Sequence, residues 1–92
     1  MIKNFELIPG KYDGVKSFYK KAFVIENTDT NEKTLVSYDT YVAKITGDGE
    51  FIRLWNDYSA TTMRHVNAFI DLYHVPGGGK KWWCSLTVKK GV

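Results

Sequence analysis

The sequence predicts an α+β domain: a small antiparallel sheet of about four strands, a meander, with one main helix packed on it. Two observations lead there. Between residues 22 and 55, four runs rich in aromatic and β-branched residues follow one another across short connections, and strands in that order pair most simply as a meander. After them, one stretch alone, residues 58–73, combines a helical apolar period with a start and a stop signal.

The first seventeen residues are the least patterned. Phe5, Leu7 and Ile8 fit a short edge strand ended by the turn signal Pro9-Gly10, and Asp13-Gly14 marks a further turn. Residues 22–26 form the first clear strand. The polar run 27–33 has turn composition and nothing to bury. Residues 34–38 and 41–46 are the next two strands, joined tightly through Asp39-Thr40. Gly47-Asp48-Gly49 is a hairpin turn into a fourth, residues 50–55. Alternation along the third strand puts Val42, Lys44 and Thr46 on one face and Tyr41, Ala43 and Ile45 on the other. In the fourth, Ile52 and Leu54 oppose Phe51, Arg53 and Trp55.

Ser59 is the expected N-cap of the helix, its hydroxyl accepting from a free amide one turn in. Asp57 stands just outside, where the helix dipole favours an acid, and Thr62 occupies the position where Glu would close a capping box. Thr62, Met63, Val66, Phe69, Ile70 and Tyr73 form one apolar stripe. Thr61, Arg64, Asn67 and Asp71 fall opposite it, with His65 and Leu72 at one flank. Pro76 and the three glycines behind it stop the helix near His74. Residues 80–88 read as a last strand or a helical turn, pinned to the body by Trp82 and Trp83.

Ninety-two residues, 43% hydrophobic and 15% aromatic, make one domain whose rings supply a core that a short aliphatic chain would leave thin. A single cysteine, Cys84, allows no intrachain disulfide. The amino-terminal residues lack a signal-peptide pattern, and no window approaches the roughly 18 apolar residues of a membrane span. The expectation is a soluble cytoplasmic protein without membrane attachment, a monomer or small homo-oligomer. Net charge is +3 but segregated. Residues 11–21 carry +3; residues 26–57 hold seven acids against Lys33, Lys44 and Arg53, a net of −4; residues 75–92 hold four lysines and no acid. Such segregation can steer a partner, although a solvated surface is the plainer account.

Catalytic and metal chemistry find little support. His65 and His74 are nine residues apart on one helix and point in opposite directions, so they share no metal. Cys84, between two tryptophans and Leu86, is expected to be packing rather than a nucleophile. Gly77-Gly78-Gly79 lacks the strand, helix and Lys-Ser/Thr context of a phosphate loop. No cofactor is expected, and the reading is non-enzymatic.

Two binding surfaces remain. Lys80, Lys81, Trp82, Trp83, Lys89 and Lys90 interleave cations with rings, the pattern of single-strand nucleic-acid binders. The few arginines and moderate pI weigh against it. Trp55, Tyr58 and Trp82, with Arg53 and Arg64, are of the types that dominate protein-binding hot spots. The candidate partner-binding set is Arg53, Trp55, Tyr58, Thr61, Arg64, His65, Lys80, Lys81 and Trp82.

Four segments also resemble a group of small uncharacterised proteins encoded largely by phages and mobile elements of Gram-positive bacteria. They are Ser17-Phe-Tyr-Lys-Lys-Ala22; Leu35-Val-Ser-Tyr-Asp-Thr-Tyr-Val-Ala-Lys-Ile45; Leu54 to Phe69, with its Tyr58-Ser-Ala-Thr-Thr-Met-Arg-His65 block; and Lys80-Lys-Trp82. The resemblance covers roughly residues 17–86. The chain departs from the group at Trp83-Cys84 and in its three-glycine link. The resemblance implies a non-enzymatic, anti-CRISPR-like inhibitor that occupies a surface of a host protein or ribonucleoprotein defence complex. The alternative is a small nucleic-acid-binding accessory protein. It also draws attention to Thr61, Arg64 and His65 in the first turns of the helix.

Overall fold

A computed structural model describes residues 1–7, 18 and 20–89. Those residues form strands β1 (Ile2–Glu6), β2 (Ala22–Asn27), β3 (Glu32–Ser37), β4 (Thr40–Ile45) and β5 (Phe51–Arg53), then helices α1 (Ala60–Leu72) and α2 (Gly79–Ser85). The sheet order is β1-β2-β3-β4-β5, every neighbouring pair antiparallel, so the α+β meander is as expected with one more strand. β1 lies earlier than the Phe5–Leu7–Ile8 reading placed it. Leu7 follows the strand, buried, with its amide on the Ala22 carbonyl; Ile8 and the turns at Pro9-Gly10 and Asp13-Gly14 fall outside the described residues.

Both helices cover one face of the sheet. Ala22, Val24, Leu35, Ala43 and Ile45 from the strands meet Met63, Val66, Ala68, Phe69 and Ile70 of α1 and Trp83 of α2 in one core. The apolar stripe of α1 faces inward as its period requires, while Thr61, Arg64, Asn67 and Asp71 are exposed. Ser59 caps the helix, its hydroxyl accepting the Thr62 amide at 3.0 Å. The tail is helical rather than a strand. Gly79 opens α2 by donating its amide to the side-chain oxygen of Asn67 on α1, at 3.2 Å.

Strict alternation fails at one place. Opposite β3, Leu35 pairs with Ala43 and Val36 with Tyr41, so Val42 is an extra residue in β4, a β-bulge. Val42 and Ala43 are therefore both buried, whereas Tyr41 turns outward, 61% exposed. On its other side the Val42 carbonyl receives two amides, Leu54 at 2.9 Å and Trp55 at 3.1 Å. The pairing of β5 ends there, and the chain swings from the sheet edge towards the start of α1.

Candidate functional site

The bulge builds a cleft. Where β3, β4, the 54–59 connection and the first turn of α1 meet, Ser37, Tyr38, Thr40, Val42, Trp55, Asp57, Tyr58, Ser59 and Thr62 line a depression of about 260 Å³. Val42, Ser37 and Thr62 are its buried floor. Tyr38, Trp55 and Tyr58 are the rings of its walls, and Asp57 supplies a carboxylate whose Oδ1 accepts the Tyr58 amide at 2.7 Å.

Tyr38 is the most unusual of these. It and Asp39 form the two-residue link between β3 and β4, at φ of 50° and 65°. Positive φ at both central residues suits the twist of a tight hairpin, which ordinarily recruits Asn or Gly. A tyrosine there bears a backbone penalty of roughly 1 kcal/mol. The ring nevertheless stays 51% exposed, its centre 5.6 Å from His65 and with Lys21 Nζ 5.8 Å away.

The floor includes one half of a polar pair. Ser37 Oγ and His65 Nδ1 are 2.7 Å apart, Thr62 Oγ1 is 3.4 Å from Ser37, and Phe18 packs edge-on to the imidazole at 4.5 Å. Ser37 is 2% and His65 1% exposed. A hydroxyl beside an imidazole has the composition of a nucleophile and its base; here both side chains lie almost wholly inside the fold. The pair ties α1 to β3 through the core, and His65, expected at a binding surface, is buried.

Arg53 also lies inside the fold. Only 8% exposed, it donates Nε to the Trp55 carbonyl, Nη1 to those of Trp83 and Leu86, and Nη2 to that of Asp57, at 2.9–3.3 Å. Carbonyl dipoles take the place of a carboxylate, and the side chain, expected at a binding surface, bolts the 54–59 connection to α2.

Of the other expected contact residues, Trp55 and Tyr58 line the cleft, and Lys80 reaches it with Nζ 5.0 Å from the Tyr58 ring centre. Thr61, Arg64 and Lys81 are exposed outside it. Trp82 is half-buried with its ring 5.2 Å from that of Phe51. Cys84, expected to pack, is exposed instead: the two-turn helix spends its inward position on Trp83 and turns the next residue outward. The sequence did not point to Tyr38, Thr40 or Ser37. The connection expected at Asp39-Thr40 falls one residue earlier, at Tyr38-Asp39, which takes Tyr38 out of the strand and into the turn.

A more open depression of about 450 Å³ lies between α1 and the glycine link, lined by Asn67, Ile70, Asp71, Val75 and Gly77 to Gly79. It gathers no ring. Among the described residues, no group of three His, Cys, Asp or Glu side chains could hold a metal ion, and no helix is long and apolar enough to cross a membrane.

A single antiparallel meander with two helices on one face and an aromatic cleft at its bulged edge defines a small α+β protein. The chain belongs to DUF8033, a family of unknown function, which it matches over residues 5–85. No curated protein and no solved structure matches it.

Proposed function

We propose that this chain is a non-catalytic binding protein that acts by occupying a surface of a partner protein, with the Tyr38–Trp55–Tyr58 cleft at the centre of contact. The observation that carries this reading is the cleft itself. Three rings surround a recess of side-chain size, and one of them is held there in a backbone conformation that its residue type disfavours. Residues kept in such conformations concentrate at functional sites, and Trp and Tyr in recesses are the usual anchors of protein interfaces. The resemblance to phage and mobile-element proteins supplies the setting: the cytoplasm of a bacterial host, with a defence complex as the target and inhibition by blockade, in the manner of an anti-CRISPR.

Nucleic-acid binding through the Lys-Lys-Trp-Trp segment has less support. Trp83 is buried under Arg53, and Trp82 leans on Phe51 and Gly77, so the rings that would stack on bases are engaged within the fold. The test is capture from host lysate treated with nuclease. A defined protein partner retained after treatment, and lost with Tyr58→Ala but not with Lys81→Ala, is the expected result. Recovery only through nucleic acid, lost with Lys81→Ala, would overturn the proposal.

A further inference from the structure

The cleft's chemistry narrows what it takes from a partner. We infer that it seats an arginine side chain, stacked on the Trp55 ring and paired with the Asp57 carboxylate, an inference that rests on the cleft being the partner-binding site.

Cations already occupy the other two rings. Lys80 Nζ stands 5.0 Å from the centre of Tyr58 and Lys21 Nζ 5.8 Å from that of Tyr38. Trp55, the ring type that attracts cations most strongly, has no ring or cation contact among the described residues and forms the remaining wall. Asp57 lies two residues along. Its Oδ1 is oriented by the Tyr58 amide, which leaves Oδ2 to accept from a guanidinium.

The net charge of the rim neither attracts nor repels such an occupant, and the one carboxylate on the wall decides. Residues 37–59 carry four acids and two bases, and both bases are used inside the fold. Lys44 pairs with Glu32 at 3.0 Å, and Arg53 is spent on backbone carbonyls. Asp39 and Asp57, at the cleft's edge and wall, have no ion pair among the described residues, and they offset Lys21 and Lys80. The rim is thus near neutral, and local contact rather than long-range steering selects the ligand. Arginine fits that contact better than lysine, because its planar group stacks on an indole while its N–H edge faces a carboxylate.

The test uses Nα-acetyl-arginine methylamide titrated into the isotopically labelled full chain, following the indole N–H resonance of Trp55, assigned by its disappearance in Trp55→Phe. The neutral citrulline analogue has nearly the same shape. A saturable shift at Trp55, at least about fivefold tighter for arginine than for citrulline and weakened to the citrulline level by Asp57→Asn, is expected. Asn keeps the Oδ1 that accepts the Tyr58 amide, so the Asp57→Asn variant retains the loop. Equal affinity for the two probes, or an unmoved Trp55 resonance, overturns the inference. If Trp55 ignores the arginine probe while Tyr58→Ala still loses the partner, the arginine inference falls and the binding face stands. If Trp55 responds to arginine while Tyr58→Ala keeps the partner, the cleft recognises the cation and the proposed role of the cleft in partner binding fails.

Discussion

The guanidinium of Arg53 stacks on the ring of Trp83, 4.7 Å from its centre, and the indole N–H of Trp83 donates at 2.8 Å to the Asp57 carbonyl that Arg53 Nη2 also reaches. The two residues, thirty apart in sequence, thereby fix the loop that carries Trp55, Asp57 and Tyr58 into the cleft. Arg53→Lys keeps the charge but has neither the fork to reach four carbonyls nor the plane to stack. It should lower unfolding free energy by about 2–4 kcal/mol, read as a lower urea midpoint at unchanged slope. A variant as stable as the parent would mean that the carbonyls are satisfied without the fork.

Gly77 sits at φ +136°, and a Cβ there would overlap the Trp82 indole. Both the backbone and the space require glycine, so the link after α1 does more than break a helix. Gly77→Ala should destabilise by about 1–3 kcal/mol and shift tryptophan emission as Trp82 leaves Phe51. Gly79, with open space where its Cβ would fall, is the control for backbone strain alone: Gly79→Ala should shift the emission much less.

Cys84 is exposed on α2, beside the buried Trp83. The native protein should therefore react stoichiometrically with a thiol reagent, at a rate within a few-fold of that in denaturant. Cys84→Ser should change stability by less than about 0.5 kcal/mol. A thiol silent until the protein unfolds would place it in the core after all.

What the sequence disclosed follows its periodicities. The α1 stripe from Met63 to Tyr73, the Ser59 cap and the strand order were legible because local pattern and tertiary packing agree there. Val42 was not, since a bulge depends on the partner strand's register rather than on the residue itself. Arg53 and Cys84 depart in burial from what their residue types suggest, for a shared reason. Residue type suggests a surface or a core, but the neighbours decide: a cage of carbonyls draws an arginine inward, and a helix with one inward tryptophan turns a cysteine out. The cleft was half legible, through Trp55 and Tyr58. Its other wall depends on Tyr38 accepting a positive φ, which no composition rule anticipates.

Tyr73 ends α1 with its hydroxyl donating to Glu26 Oε2 at 2.7 Å and with Lys33 Nζ 5.4 Å from its ring centre. Burial, then the hydrogen bond and negative charge of Glu26, raise the phenol's pKa well above its ordinary value of 10.0. The folded protein therefore keeps the Tyr73 proton at pH values where the unfolded chain releases it. In that window the native state binds more protons, so stability is fully present below about pH 10 and falls as pH rises beyond it. Tyr73→Phe removes this contribution to the decline. At neutral pH it should cost about 1 kcal/mol, for the lost hydrogen bond. Lysine titrations are common to both proteins and cancel in the comparison. Urea unfolding at neutral pH and at steps above about pH 10 should show the parent's advantage over Tyr73→Phe shrinking as pH rises. An advantage that stays constant across that range would mean that Tyr73 titrates in the folded state as it does in the unfolded chain, and that Glu26 does not hold its proton.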